Sequence, residues 1–207
     1  MEFSEVVRRR RMVRSYTDEP VDRAAVDQLL EHAIRAPSAG FSQGWAFLVL
    51  DEPGDVQRFW DATTPSGAKQ DSRWLSGMRS APVLIVPLSS KDAYLDRYAE
   101  PDKGWTDRDE SRWLAPYWDI DTGMASLLML LSAVDQDLAA CFFGIPVERV
   151  DTFCAEFSIP ATHHPIGAIT VGHPAPDHAP SSRSRGRRPA TEVVHRGGWH
   201  GEDPGRR

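Results

Sequence analysis

Five arginines fall within seven positions near the start of the chain, Arg8-Arg9-Arg10-Arg11-Met12-Val13-Arg14, and Ser15-Tyr16-Thr17 follows. Several guanidinium groups converging on one spot match the oxygens of a phosphate, because each offers a planar fork of donors. The same run also reads as the solvated basic end of a short helix, since cations suit a helix C-terminus. A second set of candidates is aromatic. Trp105 and Trp113 sit in residues 99–116, an irregular stretch with Pro101 and Pro116. They are able either to stack on a planar ligand or to pin the segment to the surface. Long irregular segments inside a compact domain tend to be functional or mobile.

Other chemistries lack their residues. There is no Gly-x-Gly-x-x-Gly and no phosphate-cradling Gly-rich loop with its Lys, which argues against a doubly wound nucleotide fold. No Gly-x-Ser-x-Gly marks a hydrolase elbow. His163 and His164 are adjacent, and the remaining histidines do not fall at ligand spacing with Cys141 and Cys154, so no metal site is expected. The two cysteines lie among apolar residues and read as buried thiols of a reduced, cytoplasmic protein, with no secretory leader ahead of them. The chain carries 24 basic and 30 acidic residues, a net −6. Residues 181–207 alone hold seven Arg against three acids, so the first 180 residues are at −10. A body that acidic offers no general attraction to nucleic acid.

The elements that would position these groups surround one apolar stretch, Ile120 to Leu138. Ile120, Met124, Leu127, Leu128, Leu131 and Val134 recur at helical spacing, which predicts one broad apolar face. The other side, with Ala125, Ser126, Met129 and Ala133, is a strip of mostly small residues that admits another backbone closely. A helix apolar or small nearly all round is buried on both sides. It is too short for a membrane span. Asp119, Asp121 and Thr122 suit its first turn. It is expected as the central helix of the core, able also to pack on a partner subunit.

Around it, Glu2–Arg11 and Arg23–Arg35 read as helices, the second with Val26, Leu29, Leu30, Ala33 and Ile34 inward. Trp45–Leu50 and Pro82–Leu88 are continuous apolar runs, expected as buried strands. Asp55–Asp61 and Lys69–Ser80 are expected as helices between them. Ala139–Ile145 and Ile166–Val171 are further strands, with a helix over Val147–Phe157 behind Pro146. From His173 the chain is rich in Pro, Ser, Gly and Arg, a tail held by something outside its own core or not held at all.

Three separated segments together resemble the FMN-dependent nitroreductase family. Arg10-Arg11-Met12-Val13-Arg14-Ser15-Tyr16 is similar to its opening Arg-Arg-Ser-x-Arg-x-aromatic signature. Ala36-Pro37-Ser38-Ala39-Gly40-Phe41-Ser42-Gln43-Gly44-Trp45 resembles its second, and Arg187-Arg188-Pro189-Ala190-Thr191-Glu192-Val193-Val194 its C-terminal element. Met12 stands where the family usually has Ser, and Phe41 and Gly44 where it commonly has Asn and Pro.

The resemblance implies an α+β fold of three layers, a central mixed but mainly antiparallel sheet flanked by helices, in an intertwined homodimer. It implies a single domain over 1–207, with 174–207 an extension packing on the partner. It implies FMN as cofactor, its phosphate and ribityl chain held by Arg10, Arg11, Arg14 and Arg187 beside the backbone of Met12. Ser38 would lie against the flavin, and Phe143 and Gly144 beside its reactive N5 edge, with no catalytic side chain required. The activity implied is electron transfer from NADH or NADPH to an electron-poor small molecule, nitro, quinone or similar, by alternating half-reactions. The alternative is a flavin- or deazaflavin-binding protein of the same fold with another reductant or no turnover. Neither reading involves a membrane or nucleic acid.

Overall fold

The computed structural model describes residues 1–65, 67, 72–176 and 186–199. The start of the expected Lys69–Ser80 helix and residues 177–185 and 200–207 of the tail lie outside this range. Five strands form one sheet: β1 (Trp45–Leu50), β2 (Val83–Ser89), β3 (Ala139–Phe143), β4 (His164–Pro165) and β5 (Ala168–Gly172). The spatial order is β1-β2-β5-β3, with β4 beside β2, and every one of these pairings is antiparallel. A single parallel bridge, Met12 to Ala140, extends the sheet past β3.

The strands are apolar throughout because the sheet is covered on both faces. All seven residues of β2 are buried. Side chains alternate between faces along a strand, so Val83 and Ile85 enter one core layer with Ala140, Ile169 and Val171. Leu84, Val86 and Leu88 enter the other with Cys141 and Ala168. The first layer is closed by α2 (Arg23–Ala33) and α6 (Tyr117–Asp135), the second by α3 (Pro53–Thr63), α4 (Arg73–Arg79) and α7 (Val150–Glu156). The remaining helices are α1 (Phe3–Arg9), α5 (Lys91–Ala99) and, in the tail, α8 (Ala190–Val193). This is the α+β, mainly antiparallel architecture expected. The α5 and α8 helices are not legible in the sequence, being short and rich in charge or turn residues.

The central helix is present, with the small-residue strip against the core as expected and the other side only partly buried. Ala125, Ser126, Met129 and Ala133, the strip of mostly small residues, are buried, and all but Ser126 join the core layer with the strands, as does Leu130. Of the large apolar face, Met124 and Leu128 pack against the core, while Ile120 and Leu127 are 43% and 48% exposed. Small side chains let α6 lie close on the strands, and two of the bulky ones, Ile120 and Leu127, are left uncovered by this chain. Ile34, expected inward, is likewise exposed beyond the C-terminus of α2. Among the described residues, no helix is long and apolar enough to cross a membrane.

Candidate functional site

The chain beyond α1 runs extended alongside β3, the sheet edge, and this sorts the arginines by parity. Val13 N–H donates to Ala140 O at 3.1 Å, and the Phe142 N–H meets Met12 Sδ at 3.4 Å. Alternation then sends Arg10, Met12 and Arg14 to one side and Arg11 and Val13 to the other. Arg14 hydrogen-bonds the Cys141 thiol, and Arg10 is close enough to act on it too; burial nonetheless raises that thiol above its ordinary pKa. Arg10 keeps one guanidinium nitrogen, Nη1, buried with no hydrogen-bond partner. A buried cationic donor without an acceptor is costly. It marks the place where an anion would be most welcome.

The other members of the basic run are occupied elsewhere. Arg8 pairs with Glu5 at 2.6 Å and Arg9 with Asp137 at 2.9 Å, both on the surface. Arg11 turns back on the end of α1, donating from Nη1 to Arg8 O at 2.6 Å and Arg10 O at 2.8 Å. The structure therefore separates Arg11 from Arg10, Met12 and Arg14, contrary to its expected place among them. Spacing alone could have shown this, since only every second residue of an extended segment shares a side.

Two features hold the segment down. Tyr16 is buried, its hydroxyl donating to Val13 O at 2.6 Å and sharing a hydrogen with Thr170 Oγ1 at 2.7 Å. Burial pushes its phenol well above the ordinary pKa. On the α4 side, a Cβ at Gly77 would stand 2.2 Å from Arg14 O, so the backbones approach closely there.

Phe143 lies two residues beyond Cys141 on the same side of β3, about 7 Å further along at the usual rise. Its ring stacks parallel to Trp60, centroids 5.6 Å apart, and meets Trp74 edge-on at 6.1 Å. With Gly144 it lines an apolar pocket of about 190 Å³ beneath α3 and α4. The arginine cradle and this pocket thus follow one another along β3.

Ser38 belongs to a different part of the sheet. It opens a tight turn that enters β1, the opposite edge strand. Met12 beside β3 and β1 are four strand spacings apart, roughly 19 Å. The turn is fixed from several directions. Ser38 Oγ accepts from Gln43 N at 3.0 Å, Ala39 N donates to Asp121 Oδ2 at 2.7 Å, and Arg97 Nε donates to Gly40 O at 2.9 Å. Inside it Gly40, Phe41 and Gln43 all have positive φ, 63°, 57° and 50°. For a bulky residue such as Phe41 this is strained, about 1–3 kcal/mol, and such strain persists only where surroundings enforce it. Gly44 is buried where a Cβ would lie 2.7 Å from the Tyr94 ring, which explains why no larger residue stands there.

Asp121 departs from the first-turn position expected of it. The helix begins earlier, at Tyr117, so Asp121 falls in the second turn and points inward, 2% exposed. Its Oδ2 accepts from the Tyr94 hydroxyl at 2.8 Å as well as from Ala39. Burial, then the carboxylate, raise the Tyr94 phenol above its ordinary pKa. Trp113 packs on Tyr98 at 4.5 Å, on Trp105 at 5.7 Å and on Tyr94 at 5.9 Å. The tryptophans pin residues 99–116 to α5 and α6.

His164 Nε2 lies 2.9 Å from Asp119 Oδ1 and 3.0 Å from Ser89 Oγ, and that hydroxyl donates to the same carboxylate oxygen. Both contacts fall on one ring nitrogen, so the imidazole ties β4 to β2 and α6 and is not strung between a carboxylate and a nucleophile. No three His, Cys, Asp or Glu side chains gather to hold a metal among the described residues. Arg187 is exposed in the segment leading to α8, while its neighbour Arg188 pairs with Glu192 at 3.1 Å.

The geometry describes an α+β protein with Arg10 and Arg14 and an aromatic pocket in series along one sheet edge. The sequence model of the nitroreductase family matches residues 7–173, most of the chain. A relative from Methanothermobacter thermautotrophicus, provisionally named an NADH dehydrogenase/NAD(P)H nitroreductase, is 28% identical over 177 residues, covering 84% of this chain and 78% of the relative. A nitroreductase-type structure in complex with FMN from Desulfovibrio desulfuricans has a TM-score of 0.69 at 26% identity, covering 97% of this chain and 99% of that one. Another FMN complex, from Exiguobacterium sibiricum, shares the fold at TM-score 0.75 and 19% identity, covering 94% and 97%. The chain belongs to the nitroreductase family, and by class it is an oxidoreductase. The family match ends ahead of the Arg187 segment.

Proposed function

We propose that the chain is an FMN-dependent oxidoreductase that carries electrons from NADH or NADPH to an electron-poor small molecule, of nitro or quinone type, in alternating half-reactions. The observation that carries the reading is the buried, unpartnered Arg10 Nη1 beside Arg14 at the β3 edge. A phosphate there would satisfy it, and the residues present fit that group. Bound FMN supplies the electron chemistry, and the protein's share is positioning and electrostatics. Arg10 and Arg14 hold the phosphate, with the Met12 backbone beside them. Phe143 and Gly144 border the N5 edge, where a backbone amide is a suitable donor. No side chain is assigned a catalytic proton.

The reading includes a homodimer. Ser38 and the Arg10–Arg14 segment occupy opposite edges of one sheet, so a single flavin touches both sets most simply when they come from two chains. The uncovered face of α6, and the exposed Val193, Val194 and Trp199 of the tail, give the partner something to cover. The 174–207 extension would pack on the partner, and Arg187 would reach the phosphate from it. A reducing cytoplasm suits the two free thiols, Cys141 and Cys154.

The test is a pair of FMN titrations followed by flavin fluorescence. Arg10→Ala removes a hydrogen bond between charged groups, worth about 1.5–3 kcal/mol, and should weaken FMN binding roughly ten- to a hundredfold. Riboflavin, which lacks the phosphate, should lose nothing. Arg11→Ala should leave FMN affinity nearly unchanged. Equal losses in the two variants would remove the phosphate from this edge.

A further inference from the structure

Met12 stands between Arg10 and Arg14 in the extended segment, on the same side of it. Its sulfur faces donors that it serves poorly. The Phe142 N–H points out of the sheet edge and finds Met12 Sδ, at 3.4 Å, where a neighbouring strand would offer a carbonyl. A thioether sulfur is only a weak acceptor. Arg10 Nη1, on that same side, is buried and has no acceptor at all. Its guanidinium lies close enough to Cys141 to act on the thiol, one residue from Phe142. Two donors in want of an oxygen therefore converge on the stretch of β3 where the sulfur sits. Met12 is half-buried at the margin of both core layers. Met78 and Met129 are sealed inside at 0% exposure, and Met1 is 47% exposed at the terminus.

We propose that Met12 is a site of reversible oxidation by a hydroperoxide, and that its sulfoxide weakens the hold of Arg10 on a phosphate. In the step the peroxide O–O bond breaks and an S–O bond forms. Sulfur gives up an electron pair, the peroxide is reduced, and hydrogen peroxide leaves as one water. The product is a polar, uncharged side chain whose oxygen is a better acceptor than the thioether. That oxygen takes the Phe142 N–H and Arg10 Nη1, so the guanidinium gains its acceptor without an anion. Methionine sulfoxide reductases restore the thioether. The oxidation itself stands apart from the flavin reading; its consequence for FMN rests on that reading.

The full chain, free of FMN, is treated with hydrogen peroxide and its peptides are mapped by mass over time. Met12 should take up one oxygen at least about tenfold faster than Met78 and Met129, with Met1 setting the unhindered rate. Amide hydrogen exchange at Phe142, followed by NMR, should slow about fivefold in the oxidised protein, as a stronger acceptor implies. FMN affinity should fall about tenfold, and methionine sulfoxide reductase should restore it. Met12→Leu, whatever its own affinity, should show no further change on peroxide treatment. Oxidation of Met12 no faster than of Met78, or oxygen found on Cys141 in its place, overturns the inference. So does a peroxide-induced loss of FMN affinity that persists in Met12→Leu, and so does faster exchange at Phe142, which would show the oxidised side chain expelled from the strand. A chain that binds no FMN in any state overturns the flavin reading instead, and the mass map and the Phe142 exchange then decide the oxidation by themselves.

Discussion

Asp121 gives the sharpest test of how the Ser38–Gly44 turn is held. Its Oδ2 accepts two hydrogen bonds, from Ala39 N–H and from the Tyr94 hydroxyl, and the side chain is almost wholly buried. Replacing it by Ala leaves both donors buried without an acceptor. Each such donor costs about 1–3 kcal/mol, so Asp121→Ala should lower unfolding stability by roughly 2–6 kcal/mol. Asp121→Asn keeps an oxygen able to accept but loses the charge assistance and adds an NH₂ that needs a partner. It should cost about 1–2 kcal/mol. Tyr94→Phe removes one donor and should cost about 1 kcal/mol. Combined with Asp121→Ala it should add little, because the lost interaction is the same one. Urea unfolding followed by tryptophan fluorescence measures all four. FMN affinity should fall with Asp121→Ala, since the turn that carries Ser38 loses its anchor to α6. If Asp121 were an ordinary solvated residue of a helix start, Asp121→Ala would lie within about 0.5 kcal/mol of the parent. That result would refute the anchoring.

Three further outcomes follow from the same structure. The Tyr16 and Tyr94 phenols are held above their ordinary pKa of 10, so the folded state binds those protons more tightly than the unfolded chain does. Their contribution is therefore fully present below pH 10 and is lost as pH rises beyond it; denaturation midpoints should drop steeply there, and less steeply in Tyr16→Phe. Leu127→Glu places a charge on the uncovered face of α6, and sedimentation should show a dimer converting to monomer with loss of bound FMN. Arg187→Ala should weaken FMN binding about tenfold while Arg188→Ala, whose side chain is paired with Glu192, should do little; like behaviour of the two would take the tail out of the site.

The strands and the two long helices are legible in the sequence because their signals are collective. Continuous apolar runs such as Val83–Leu88 have no reading but burial on both faces, and the structure shows that burial. The strip of α6 that meets the core is legible as a line of mostly small residues; the exposure of Ile120 and Leu127 is not, because hydropathy alone ranks both for burial. Arg11 departs from expectation for a local reason, the alternation of an extended segment within a run of like residues. Asp121 departs for a long-range one. Its partners Ala39 and Tyr94 lie 82 and 27 positions away, and no spacing rule connects them. Arg8 and Arg9 could be discounted in advance only by knowing that Glu5 and Asp137 would meet them.

The division of the motif residues between the two edges of the sheet has a physical consequence for how such a site is built. A single antiparallel sheet presents its edge strands to solvent, and unpaired edges are normally covered. In this chain one edge is covered by the Met12–Val13 segment, which brings Arg10 and Arg14 with it. At the other, β1 follows a turn whose backbone is strained and locked from three sides, and that turn carries Ser38. The first set offers charge and an aromatic floor, the second a rigid backbone rim. Ile120 and Leu127, the exposed large side chains of this face of α6, would be part of the surface that the proposed partner chain covers. In the proposed dimer, the pairing of two chains would bring the two edge segments to one site.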